Sequence, residues 1–226
     1  MGVAESMEFD VAYLMAQWPA LMRGLAMTVQ VSAISIALSV AIGILGAACR
    51  VLHIPLLSPL VAAYVEFIRN TPLLVQLFFI FFGLPTVGVK LSIFWSGVLC
   101  LTAWAGAFQV ENVRGGLAAV AKGLQEAALS LGHHPLQFFR LVALPLAVRV
   151  SLPAMLNTSI SLLKNSAYLQ TIGLVELNFV AVDRMSMDFR AIEMFTAICA
   201  IYLTLVLALS AATDQLETRL QRPFRA

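Results

Sequence analysis

Two pairs of opposite charges stand inside otherwise membrane-like sequence, each with a glutamate three residues before an arginine: Glu66 with Arg69 in AYVEFIRNTPLL, and Glu111 with Arg114 in GAFQVENVRGGL. A lone charge in hydrocarbon is costly, so such groups pair with one another or face a cavity. Arg69 lies 16 residues before Pro85 and Glu111 lies 19 after Ser92, which places them about 24 and 28 Å from the intervening turn on straight helices. Antiparallel packing then brings Glu66 to Arg114 and Arg69 to Glu111, a charge clamp between two helices. The same spacing also lets each glutamate pair with its own arginine one turn on.

A second polar group sits in ISLLKNSAYLQTIGLVEL, with Lys164, Asn165, Ser166, Gln170 and Glu176 at or beyond the end of an apolar run. Polar residues at membrane depth face a cavity or the bundle interior. Opposite them, on the segment that carries Glu111, stand Trp104 and Phe108 at helical spacing.

The third polar stretch is QEAALSLGHHPLQFFRLVALPLA, residues 125 to 147. Its first half reads as a short helix with a small-residue face at Ala127 and Ala128, closed by Gly132 as C-cap. His134 and Pro135 open a second short helix, LQFFRLVAL, which Pro145 ends. The pair is too short to span a membrane and leaves Phe138, Phe139 and Leu141 partly exposed, so a partner must cover them. Paired histidines can ligate metal or sense pH. With no cysteine, aspartate or third histidine nearby, His133 and His134 read as exposed loop residues and no metal site is assigned.

These groups need elements to hold them, and the composition says which kind. Of 226 residues 61% are hydrophobic and 12% charged, and the mean hydropathy of +0.91 lies beyond that of a soluble domain. Windows at 24–49, 70–89, 91–110 and 194–213 carry no charge except at their edges; each can cross roughly 30 Å of hydrocarbon as a helix. Residues 141–163, interrupted by Arg149, make a fifth. The expected fold is all-α, an integral membrane bundle of five helices. In the first, Gly43 and Gly46 permit close helix contact. Pro72 has no amide hydrogen, so the second should break at Asn70 to Pro72, with Thr71 capping a new start. Gly115 and Gly116 are expected to loosen the chain after the third.

Lys and Arg gather at alternate ends, with Arg50, Arg69, Arg114, Lys122, Arg140, Arg149, Arg219, Arg222 and Arg225 on one side, which predicts an N-out, C-in topology. The start is acidic (Glu5, Glu8, Asp10) where a cleaved signal peptide is basic, so it is expected to stay attached. Cys49, Cys100 and Cys199 sit in predicted spans without metal-like spacing and read as packing residues. The net charge of +2 gives no case for nucleic acid, and the basic tail TRLQRPFRA reads as a topology determinant. No GxxxxGK[ST] motif is present to cradle a nucleotide, so energy from ATP must come from another chain.

Glu126-Ala127-Ala128, Gly132 and, nine residues later, Val142-Ala143-Leu144-Pro145 resemble the cytoplasmic loop signature of ABC importer permeases, with valine in place of isoleucine. FIRNTPLLVQLFFIFFGLP, GAFQVENVRGGL and SLLKNSAYLQTIGLVEL extend the resemblance to the permeases of polar amino acids, over a core of about 20–220 in a single domain of 1–226. The resemblance implies that loop 122–145 docks on a cytoplasmic ATPase through Glu126, Ala127, Ala128, Gly132, Leu144 and Pro145. It also implies a second permease subunit, two ATPase chains that hold the ATP and Mg, and a periplasmic amino-acid-binding protein, at a bacterial inner membrane. No cofactor and no catalysis are expected in this chain.

On that reading Trp104, Phe108, Glu111, Asn165, Ser166, Gln170 and Glu176 line the substrate path, where a zwitterion needs a carboxylate binder and an amine binder. Asn165 stands where many relatives carry aspartate, which argues against a cationic side chain. The rival reading is an ion-coupled secondary transporter or channel built on Glu66, Glu111 and Lys164. Its mark, an inverted repeat with paired broken helices, is not visible in the sequence.

Overall fold

A computed structural model describes residues 9–221. Glu5, Glu8, Arg222 and Arg225 of the topology argument lie outside the described residues, as does the side chain of Arg219. The described chain folds as a bundle of helices: α1 (Val11–Val51), α2 (Leu57–Arg69), α3 (Leu73–Phe78), α4 (Ile93–Ala118), α5 (Lys122–Ser130), α6 (Pro135–Phe138), α7 (Leu144–Asn165), α8 (Leu177–Asp188) and α9 (Ala191–Gln221). Four stretches are long and apolar enough to cross a membrane, and five if the bent pair α2–α3 is one span.

α1 and α4 lie side by side and parallel. Gly43 meets Gln109, Gly46 meets Val110, and Ser35 donates to the Val98 carbonyl at 3.4 Å. Thr28, Ser32, Ser35 and Ser39, all buried, form a stripe of small polar residues along α1, in which Ser35 meets α4 and Thr28 meets the start of α8. Small side chains let the two backbones approach, which is how helices gain contact in lipid, where burial of apolar surface supplies no drive. α4 and α7 are antiparallel. Gly116 packs on the Ala147 carbonyl, the buried Gln109 amide donates to the Met155 carbonyl at 3.0 Å, and Asn112 donates to Thr158 at 2.9 Å. Gly116 is therefore a helix contact inside α4 rather than a loosening of the chain.

The break in the second segment is a bend of 110° between α2 and α3. Thr71 does not cap α3: its hydroxyl turns back to the Phe67 carbonyl at 2.9 Å, and Pro72 is the residue before the first turn. The carbonyls freed by the break are held by side chains: Asn70 donates to that of Glu66 at 2.8 Å and Thr71 to that of Phe67. Gln76, 7% exposed, donates its amide to Ile68 at 2.9 Å and to the Thr71 carbonyl at 3.1 Å, which answers the demand that buried backbone groups be paired.

Pro145 does not end a helix either. Residues Phe139–Ala143 form a π-turn in which the Leu144 amide reaches back to the Phe139 carbonyl, and the chain then runs unbroken through α7. The wider turn gives the ring of Pro145 room in place of a normal hydrogen bond. The second arm of the polar stretch is thus the lower end of a spanning helix, continuous from Pro135 to Ile172.

Candidate functional site

The hairpin of α5 and α6 closes one end of the bundle, beside the C-termini of α1 and α4. Its turn is a Schellman motif: Gly132 adopts φ +84°, its amide donates to Leu129 at 3.0 Å, and the His133 amide donates to Ala128 at 3.0 Å. Glycine is required there because a Cβ disfavours the left-handed conformation. His134 caps α6 through a reciprocal pair with Gln137, so its role is local.

The hairpin has two faces. Ala128, Phe138 and Phe139, at 7 to 8% exposed, join Ala47, Val113 and Ala147 in one apolar cluster. Ala128 and both phenylalanines therefore face their own bundle, against the expectation that they await a partner. Glu126, Ala127 and Pro145 are exposed and Leu144 half-buried. Leu131 at 81%, Leu141 at 67% and Leu136 at 49% are exposed along the same segment. Leu131 and Leu136 were missed in the sequence because they belong to no motif; their signal was large apolar residues in a segment too polar to span.

Further into the bundle a charged cluster centres on Glu111. Its Oε1 accepts from Arg50 Nη1 at 2.6 Å and its Oε2 from Arg114 Nη2 at 2.7 Å. The expected clamp is not formed: Glu66 instead accepts from Asn70 at 2.8 Å, and the Arg69 guanidinium lies over the Phe108 ring, 5.3 Å from its centroid. Such a clamp needs two straight segments, and the 110° bend breaks one of them. Arg50, at the end of α1, fills the place given to Arg69. Phe108 in turn stacks on Trp104, centroids 4.8 Å apart. Arg69, Phe108 and Trp104 make a cation–aromatic ladder that leads away from Glu111 along α4.

Asn165, Ser166 and Gln170 belong to a different level. The α4–α7 contacts place Asn165 opposite the region of Leu99, so Glu111 lies about 12 residues, or about 18 Å, further along α4. Trp104 stands between the groups, touching the core around Leu169 on one side and Tyr64 on the other. Ser166 is buried and returns its hydroxyl to the Leu163 carbonyl at 2.7 Å. Asn165 and Gln170 are half-buried, and among the described residues no hydrogen bond occupies their side-chain amides.

Glu176 is separate again. Fully buried, it caps α8 by accepting from the Asn178 and Phe179 amides at 3.0 and 2.7 Å, and from the Thr28 and Tyr202 hydroxyls at 3.2 Å each. Thr28 also accepts from the Leu177 amide at 3.1 Å, so its own proton is directed at the carboxylate. Burial pushes the Glu176 carboxyl above its ordinary range, and the four donors pull the other way. These bonds tie α1, α8 and α9 together and engage the carboxylate as a buried cap.

Residues 39–222 match the family described as the binding-protein-dependent transport system inner membrane component. The chain belongs to that family. This permease is 32% identical over 217 residues to the glutamine transport system permease protein GlnP of Escherichia coli, covering 95% of this chain and 99% of that one. A solved amino acid ABC transporter with histidines is 33% identical and superposes with a TM-score of 0.87 over 94% of the permease and all of its counterpart. A structure of the MetNI methionine ABC transporter shares the fold at 24% identity, with a TM-score of 0.72, over 93% of this chain and 99% of the other.

Proposed function

We propose that this permease carries polar amino acids across a bacterial inner membrane as the channel-forming subunit of an ATP-driven importer. A periplasmic binding protein delivers the substrate, a second permease subunit completes the pathway, and two cytoplasmic ATPase chains bind ATP and Mg. The chain itself performs no chemistry. The observation that carries the reading is the exposed part of the hairpin: the Glu126 carboxylate is engaged by no described residue, and Ala127, Leu131, Leu136 and Leu141 are exposed along the same segment. An unengaged carboxylate and exposed leucines on one glycine-closed hairpin suit a protein groove, and the hairpin end is then the cytoplasmic one.

Because α6 runs through the π-turn into α7, a push on the hairpin is delivered along a single helix to Asn165 and Gln170, whose free amides support a place beside the substrate. Arg69 is the cation on this path with its guanidinium on an aromatic face, and it suits a substrate carboxylate; Asn165 in place of an acid suits an uncharged polar side chain over a cationic one. Reconstitution in vesicles with and without the ATPase tests the reading. Uptake should require ATP on the hairpin side; uptake driven by a proton gradient without nucleotide would support the secondary-transport reading instead.

A further inference from the structure

Two cavities at the hairpin end of the bundle share walls. The first, about 380 Å³, is lined by Arg50, Arg114, His53 and Ser58 together with Val51, Leu117 and Ala118. The second, about 330 Å³, shares Val51 and Leu117 and continues under the hairpin along Leu52, Val120, Phe138 and Phe139. The first carries the basic side chains, and the second is walled mainly by apolar side chains with Gln125 among them. Together they have the outline of an amphiphile.

The charges support an anion. Two guanidiniums share the single carboxylate of Glu111, which leaves a net positive charge at the cavity. Only Arg50 Nη1 and Arg114 Nε and Nη2 are engaged, all by Glu111, so the other N–H groups of both remain available among the described residues. Arg50 lies in the last turn of a spanning helix, where a membrane-spanning chain meets phospholipid headgroups. We infer that this pair of cavities binds an anionic phospholipid, its phosphate between Arg50 and Arg114 and an acyl chain against Phe138 and Phe139. Because the chain lies beneath the hairpin, its occupancy stiffens the element that meets the ATPase.

The full-length chain in nanodiscs of mixed phosphatidylglycerol and phosphatidylethanolamine tests this, with retained lipid read by native mass spectrometry. The wild type is expected to hold one phosphatidylglycerol with a preference of about tenfold, the scale set by one to two basic side chains at a membrane surface. The pair Arg50→Gln and Arg114→Gln should abolish the preference. Ala118→Trp, which fills the basic cavity from an exposed position and leaves both arginines in place, should do the same, whereas Ala119→Trp should not. An excess of inorganic phosphate should leave the lipid bound, since it brings no chain to the apolar cavity. No preference in the wild type, a preference that survives Ala118→Trp, or displacement by phosphate alone would each overturn the inference.

Discussion

The Arg50 guanidinium, at the end of α1, lies 2.6 Å from the Glu111 carboxylate in the second half of α4. That contact joins residues 61 positions apart and fixes the two parallel helices in register where the hairpin leaves the bundle. Arg114 secures the same carboxylate from one turn away. Glu111→Gln should therefore leave two cations short of a partner and lower stability by about 1–3 kcal/mol, the range for a half-buried charged hydrogen bond with some solvent access. Thermal unfolding in detergent measures it. Reversing Arg69 and Glu111 together should bring no recovery over the single reversals, because the two do not form an ion pair.

Gly116 should tolerate no side chain. A Cβ there would meet the Ala147 carbonyl, and backbone cannot rotate away as a side chain can. Gly116→Val is expected to lower stability by about 1–3 kcal/mol, as overpacking does, while Gly115→Ala, with open space around it, should be neutral. Denaturation of the two variants side by side distinguishes them.

The spans, the break at Pro72 and the turn at Gly132 were legible in the sequence because each depends on a local property: a charge-free run, a missing amide hydrogen, a left-handed residue. The Glu111–Arg114 pair was legible from its spacing of three residues, whereas the distant partners of the polar groups were not. Which arginine meets Glu111 depends on the path of three elements, and a 110° bend in one of them redirects Arg69 to Phe108 and admits Arg50. Ala128 shows the same limit on a smaller scale. It sits beside Ala127 in the motif, yet adjacent helical residues point about 100° apart, so one faces the bundle and the other faces out. The π-turn before Pro145 was hidden because proline reads as a stop unless the preceding turn widens.

Glu176 and Arg69 should separate structure from transport. Glu176→Ala removes a cap and a tie among three helices, and is expected to lower stability by about 2–4 kcal/mol with little change in the apparent KM of the protein that survives. Arg69→Gln, exposed and outside any ion pair, should leave unfolding unchanged within about 0.5 kcal/mol and raise the KM for uptake about tenfold or more, the loss of one charge-assisted contact. Uptake kinetics and thermal unfolding on the same preparations give both readouts.

Gly132→Val should act on coupling. A β-branched residue at φ +84° is strained by about 1–2 kcal/mol, enough to reopen the turn without unfolding the bundle. ATP hydrolysis by the assembled transporter should continue while uptake falls.

The most direct test is the Glu126→Lys variant, assembled with its ATPase in vesicles, with ATP hydrolysed and amino acid accumulated measured in the same sample. Glu126 is exposed and touches nothing in its own chain that the substitution would disturb. Normal insertion with uptake reduced about tenfold or more per ATP hydrolysed is the result predicted for a carboxylate that meets the ATPase groove. Uptake per ATP equal to that of the wild type would contradict the account.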